Sequence, residues 1–421
     1  MKKLNLSVII DIRGEEMIKR EIYIKRIKPF IDKDIVKVLT GIRRSGKSVM
    51  LKLIMEELQN QGIKEEQFIN INFENLKNKN LCTAEALNNF ILKKADRKKQ
   101  KYYLFLDEIQ EVENWEKSIN SLRADENYSF DIYITGSNAK LLSGELSTYL
   151  AGRYVEFMIY PFSFKEFLEA FQINENKIYI EKTFKEYVKL GGMPFLHNLQ
   201  YNFEASMQYL KDMYSSIILK DISQKNSIRN TELLERLIVY SIENVGNTFS
   251  ATSVSKFFKS ENRKGSLETI LNYIKAVEDS FLVYRVQRYD LMGKKLLNTN
   301  EKYYIADHGI REAIFESNER DVNQILENIV YMELLRRGYN VKVGKIGDLE
   351  VDFVCTKPNS DKIYIQVTYI LASPETIERE FSVLEKIQDN YPKYVLSMDM
   401  FDMSRNGIKH LNIIDFLLKD I

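Results

Sequence analysis

Residues 35–48 read Ile35-Val-Lys-Val-Leu39-Thr40-Gly41-Ile-Arg-Arg-Ser45-Gly46-Lys47-Ser48. An apolar run over 35–39 enters a Gly-x-x-x-x-Gly-Lys-Ser element, and a helical pattern over 48–61 follows. That context, strand then glycine loop then helix, is the one in which backbone N–H groups cradle phosphates and a helix N-terminus faces the anion. The spacing assigns Gly41, Arg43, Arg44, Ser45, Gly46, Lys47, Ser48 and Val49 to nucleotide binding. Lys47 would contact the β- and γ-phosphates of ATP, and the Ser48 hydroxyl would bind Mg²⁺.

Downstream, apolar runs at 68–73, 103–106 and 132–135 alternate with helical stretches such as 83–94. Strands alternating with helices predict an α/β fold with a parallel sheet covered on both faces. The run Tyr102-Tyr-Leu-Phe-Leu-Asp107-Glu108 ends in two acids. Asp107 is expected on the Mg²⁺ shell and Glu108 is expected to polarise the attacking water. The next strand ends in Thr135-Gly-Ser137-Asn138, where a polar group, Ser137 or Asn138, would sense the γ-phosphate. Gly152-Arg153-Tyr154 precedes a further strand at 155–159. Arg153 there would reach a neighbouring subunit's γ-phosphate or would make a surface ion pair.

Beyond Pro161 the strands give way to helical stretches at 162–171, 179–190 and 204–219, broken sharply at Gly191-Gly-Met-Pro194. Helices at 231–244, 251–258 and 266–277 lead into a two-strand pattern at 281–288 and 302–306. A long helix from Glu327 precedes strands at 340–344, 349–355 and 362–368, and a helix, a strand and a terminal helix follow.

Taken together, these residues resemble a family of bacterial and archaeal AAA+ ATPases that carry a C-terminal domain of restriction-endonuclease-like fold. The resemblance rests on the phosphate loop, Leu106-Asp-Glu-Ile-Gln110 with Trp115, Thr135-Gly-Ser-Asn138, Gly152-Arg-Tyr154, and Pro161-Phe-Ser-Phe-Lys-Glu-Phe167. Further on it includes Gly191-Gly-Met-Pro194, Lys302-Tyr-Tyr-Ile-Ala-Asp307, Glu327-Asn328, Arg336-Arg-Gly-Tyr339 and Glu350-Val-Asp-Phe353. It implies an AAA+ core over 31–160 behind a lead-in at 1–30, a helical lid at 161–225, a winged-helix-like module at 226–300 and the endonuclease-like domain at 301–421. It also implies catalytic roles for Lys47, Glu108 and Arg153, the last as an arginine finger acting across a homo-oligomer interface.

In the winged-helix-like stretch, Ser266 would cap the reading helix. Arg263, Lys264, Lys275, Arg285, Arg288, Lys294 and Lys295 would suit phosphate contacts, diluted by Glu261, Glu268, Glu278, Asp279 and Asp290. Contact with DNA and pure protein packing both fit that pattern. In the last part of the chain, Glu327, Asp352 and Gln366 follow the order of an endonuclease metal site. The lysine that would assist the attacking water is replaced by Thr368, and Lys345 or Lys393 would have to substitute in space. Glu327 would otherwise pair with Arg336 or Arg337.

The bulk composition fits this reading. With 421 residues, a net charge of +1, 29% charged and 44% hydrophobic residues, the chain is expected to form several globular domains. No run of 18 apolar residues occurs and the N-terminal apolar stretch is broken by Asn5, so neither a membrane span nor a signal peptide is expected. Two distant cysteines, Cys82 and Cys355, suit the reducing cytoplasm. The function expected is ATP hydrolysis, with Mg²⁺, coupled to DNA. A nucleotide-controlled switch on a protein partner and an ATP-dependent nuclease are the alternatives.

Overall fold

The computed structural model describes residues 8–10, 16–95, 100–142, 150, 152–171, 177–260, 266–315 and 321–419. They form two compact units, Met1–Ile159 with Asp279–Phe281, and Tyr160–Glu278 with Leu282–Ile421.

The first unit opens with strands β1 (Val8–Ile10) and β2 (Glu16–Ile18), which pair antiparallel, and helix α1 (Glu21–Ile27). The lead-in was expected to hold one helix near 15–27; its first part is instead a strand that has found a partner. Then come β3 (Val36–Thr40), α2 (Lys47–Asn60), β4 (Phe68–Asn72), α3 (Ala84–Lys94), β5 (Lys101–Asp107), α4 (Trp115–Ala124), β6 (Ser129–Gly136) and β7 (Tyr154–Met158). The sheet order is β4-β5-β6-β3-β7, and every pairing in it is parallel. All five residues of β3 are buried, as a strand covered on both faces requires. Val36, Val38, Leu104, Leu106, Ile132 and Ile134 of the strands pack with Leu87, Ile91, Trp115 and Ile119 of the helices. Because the strands are parallel, β3, β5 and β6 all end at one edge, and the loops that follow them converge there.

Charge is buried inside this sheet as well. Lys37 and Asp131 are 0% and 1% exposed and form an ion pair between β3 and β6. The Tyr133 hydroxyl donates to Asp131 at 2.8 Å, and the Asp32 backbone N–H donates to the same carboxylate at 3.0 Å. Lys37 also donates to the Ile35 carbonyl at 2.9 Å. Burial drives the Lys37 pKa below its ordinary value, against the pull of Asp131. Breaking such a pair from one side strands the other charge in a dry interior.

In the second unit, α5 (Phe164–Ala170), α6 (Lys177–Leu190) and α7 (Phe203–Ser216) come first, and a π-helical stretch, Ile217–Gln224, extends α7. Ser163 and Glu166 close a capping box on α5. Next come α8 (Thr231–Glu243), β8 (Thr248–Phe249), α9 (Ala251–Ser260), α10 (Leu267–Asp279), β9 (Val283–Asp290) and β10 (Lys295–Ile305). Ser266 accepts from the Thr269 N–H at 3.1 Å, the cap expected for α10. After α11 (His308–Phe315) and α12 (Val322–Arg336), strands β11 (Asn340–Ile346), β12 (Leu349–Thr356) and β13 (Ile363–Val367) lead to α13 (Pro374–Glu385), β14 (Lys393–Ser397), β15 (Lys409–Asn412) and α14 (Ile413–Leu418).

These strands form one sheet of order β15-β14-β13-β12-β11-β9-β10-β8. The border expected at 300/301 falls inside β10, whose hairpin partner β9 pairs in parallel with β11. Asp307, buried just past β10, accepts from the Gly192 N–H at 2.7 Å and the Gly309 N–H at 3.0 Å. The glycine break and the strand end are thus tied by one carboxylate.

Asp131→Ala should lower the stability of the first unit by about 3–5 kcal/mol, because Lys37 keeps its charge site without a partner. The double variant Lys37→Met/Asp131→Leu should recover most of that loss in urea denaturation. A single variant as stable as the parent would show that the pair is already hydrated.

Candidate functional site

The loop after β3 is shaped by two glycines. At Gly41, with φ +141°, a Cβ would lie 2.2 Å from the Ile159 carbonyl oxygen. Gly46, with φ +99°, caps α2 in the left-handed region. Lys47 is 4% exposed and donates to the Gly41 and Ile42 carbonyls at 3.0 and 3.1 Å. The Ser45 hydroxyl is buried with no hydrogen-bond partner among the described residues. Ser48 is exposed and Val49 half-buried in the first turn of α2. A buried ammonium at a helix N-terminus, with an orphaned hydroxyl beside it, suits a phosphate chain. Arg43 turns to Glu74 at 2.8 Å, and Arg44 is exposed with φ +65°.

Arg20 supports this loop from outside, and the sequence gave no warning of it beyond an Arg-x-x-Tyr spacing in a polar lead-in. Its side chain is 2% exposed and donates from Nη1 to the Ser45 carbonyl at 2.9 Å. The guanidinium lies 4.6 Å from the centre of the buried Tyr23 ring.

Asp107 and Glu108, at the end of β5, are 4% and 9% exposed. Thr135, on the neighbouring strand β6, braces both. Its hydroxyl donates to Asp107 Oδ1 at 2.6 Å and accepts from the Glu108 backbone N–H at 2.9 Å. Asn72, on the other neighbour β4, donates to Asp107 Oδ2 at 2.7 Å. Each Asp107 oxygen keeps a lone pair for a hydrated cation. Gln110 donates from its side-chain amide to Glu108 Oε2. Thr135, Asn72 and Gln110 are additions to the expected site. Their register beside Asp107 follows only once the strand order β4-β5-β6 is known. Ser137 and Asn138 are 0% and 3% exposed, and Asn138 Oδ1 accepts from the Lys140 N–H at 2.8 Å.

Arg153 lies elsewhere. It is exposed, and its carbonyl accepts from the Val36 N–H at 2.9 Å, at the start of β3. The parallel register pairs Val36 with Tyr154 and Thr40 with Met158. Five residues of strand, about 16 Å, therefore separate it from the phosphate loop of its own chain. Its side chain meets Asn120 at 3.4 Å.

In the second unit, Glu327 (α12), Glu350 and Asp352 (β12) and Gln366 (β13) converge on one lysine, Lys302 of β10. Its ammonium lies 2.6 Å from Glu350 and 3.1 Å from Glu327 and is 5% exposed. The Tyr304 hydroxyl donates to Glu327 at 2.5 Å, and Gln366 accepts from the Asp352 N–H at 3.2 Å. Burial opposes the Lys302 charge, but Glu327, Asp352 and Glu350 outweigh it and raise its pKa. Burial, then the Glu327 charge, push Asp352 well above the usual carboxylate range. The ammonium thus lies where these acids would otherwise share a metal. Among the described residues no group of three or more His, Cys, Asp or Glu side chains is disposed to hold one. Two expectations need correction. Arg336 and Arg337 pair with Glu333, at 2.6 and 2.7 Å, and not with Glu327. Lys393 donates to the Asp389 carbonyl rather than joining the acids.

Of the basic residues around α10, Arg285 meets Glu278 and Glu301 at 3.4 and 3.5 Å, and Arg288 meets Glu350 at 3.7 Å. Lys275, Lys294 and Lys295 are exposed, while Arg263 and Lys264 lie outside the described residues. The exposed face of α10 also carries Leu267 and Leu271.

Residues 33–168 match the AAA domain family, and residues 181–322 match a domain of unknown function (DUF8612). An uncharacterised protein of Haemophilus influenzae is 38% identical over 407 residues, covering 96% of this chain and all (100%) of that one. An uncharacterised protein of Methanocaldococcus jannaschii is 32% identical over 436 residues, covering 99% and 95%. Among solved structures, the ORC2 protein of Aeropyrum pernix is similar over 75% of this chain and 93% of that chain, at 10% identity and a TM-score of 0.39. No helix among the described residues is long and apolar enough to cross a membrane.

Replacing Lys302 by Met should destabilise the second unit by about 3–5 kcal/mol, since Glu327 and Glu350 lose the cation that neutralises them. Guanidinium denaturation followed by tyrosine fluorescence reads this directly. A loss below about 1 kcal/mol would mean that solvent screens the cluster.

Proposed function

We propose that this chain, which belongs to one family with the Haemophilus influenzae and Methanocaldococcus jannaschii proteins and carries an AAA domain, hydrolyses ATP at the edge of its parallel sheet and couples the cycle to DNA. One observation carries the hydrolytic reading: Thr135 braces an acid pair at the sheet edge from which the loop of the buried Lys47 also springs. The backbone of Gly41 to Ser48 and the Lys47 ammonium would hold the phosphates. Ser48 and Asp107 would hold Mg²⁺, which neutralises charge developing on the transferred phosphoryl group. Glu108 would take the proton of the attacking water, and Ser137 or Asn138 would report on the phosphate. Arg153, too far from its own loop, is read as a finger for the neighbour in a homo-oligomer.

For the rest of the chain we read 161–225 as a lid, 226–300 as a winged-helix-like module and 301–421 as an endonuclease-like domain. The order helix, strand, helix, helix, strand, strand from α8 to β10, with β8 beside β10, supports the second of these. Lys275, Lys294 and Lys295 would meet DNA phosphates. The lysine within the acid cluster favours a domain that holds nucleic acid rather than cuts it. The free thiols Cys82 and Cys355 suit a cytoplasmic protein.

Lys47→Ala should abolish ATP binding, and Glu108→Gln should keep binding but lower turnover at least ~100-fold. Unchanged turnover in either variant removes that residue from the site. Duplex, single-stranded or branched DNA should raise wild-type turnover, with binding that weakens steeply as salt rises. No DNA binding at low salt, with or without ATP, leaves the protein-partner switch in its place. Mixing Arg153→Ala with Lys47→Ala subunits should restore part of the activity. No restoration at any ratio counts against a finger acting between subunits.

A further inference from the structure

We propose that Gln110 is a positioning residue that holds the Glu108 carboxylate out of its water-activating pose and makes its release depend on the end of β6. The inference rests on the reading of Glu108 as the base.

The Glu108 backbone is fixed. Its φ of +55° places it in the left-handed region, and its N–H is spent on Thr135. What remains free is the direction of the side chain, and Gln110 sets it. Gln110 lies in the single turn Ile109–Glu111, and its amide N–H donates to Glu108 Oε2. A carboxylate oxygen that accepts from an amide has that lone pair engaged. To take a proton from water through that oxygen, the bond must open first.

The other end of the same side chain is poised. Gln110 Oε1 is buried and has no donor among the described residues. A buried carbonyl without a partner gains on finding one, so a rotation that frees Glu108 is rewarded at the other atom. This oxygen faces the end of β6. A Cβ on Gly136 would lie 3.0 Å from Gln110 Oε1 and 2.5 Å from the Leu141 side chain. The lack of a side chain at Gly136 is therefore what lets Gln110 lie there. Thr135, Ser137 and Asn138 flank that same position. A small displacement of this strand end would move the brace on Asp107 and the amide on Glu108 together.

Two variants separate this from a packing role. Gln110→Met keeps the volume and loses the donor; Gln110→Asn keeps the amide but is one carbon too short. Both should raise basal kcat roughly three- to ten-fold with the KM for ATP within about two-fold of the parent. Equal or lower kcat in both overturns the proposal, because the amide would then be neutral or would hold Glu108 in its working pose. A second readout needs no turnover. In nucleotide-free protein the Gln110 side-chain amide, identified by its disappearance in Gln110→Met, should exchange slowly with water, and faster in Glu108→Ala. Exchange as fast as an exposed glutamine in the parent also overturns it. Glu108→Gln run alongside tells the two failures apart. If it abolishes turnover while Gln110→Met changes nothing, the base stands and the latch falls.

Discussion

Everything at the nucleotide site depends on parallel pairing. In an antiparallel sheet, neighbouring strands end at opposite edges. Here β3, β5 and β6 are forced to the same edge by their register, so a loop, two acids and a polar turn distant in sequence become neighbours. The register then acts at the level of single atoms. Thr135 is alongside Asp107 only because β6 pairs with β5 without a bulge, and one hydroxyl can then serve a side chain and a backbone N–H at once. A slip of one residue would turn that hydroxyl to the other face.

The two units treat buried charge differently. In the first, Lys37 and Asp131 sit within the sheet, with tyrosine hydroxyls and backbone groups meeting the remaining hydrogen-bonding needs. In the second, Lys302 faces more acid than it can neutralise alone. The surplus is met by proton affinity at Asp352 and by a tyrosine hydroxyl on Glu327. The first arrangement pins two strands. The second ties β10, α12 and β12 through one ammonium, in a place where related chemistry would call for a metal.

Much of the first unit was legible because its signals are local. The glycine loop, the apolar run before it and the acid pair each declare themselves within a few residues, and the strands fall within a residue or two of expectation apart from longer ends on β5 and β6. The additional site residues were not legible for one shared reason. Arg20, Asn72 and Thr135 act on positions 25, 35 and 28 residues away, so their roles exist only after the chain is folded. Lys302 was hidden in the same way. A lysine was sought close to the acids in sequence, or at positions 345 and 393, whereas the one that arrives comes from a strand that also belongs to the preceding hairpin. Strand β15 escaped because four residues, Lys409–Asn412, show little alternation by themselves.

Arg20 has one more implication. The matched AAA domain begins at residue 33, yet a guanidinium 13 positions upstream carries part of the phosphate loop's weight. A fragment trimmed to the recognised border would retain every sheet strand and every motif residue while losing the strut beneath Ser45. The functional boundary of the module is thus set by a buttress, and it lies outside the stretch that sequence comparison delineates.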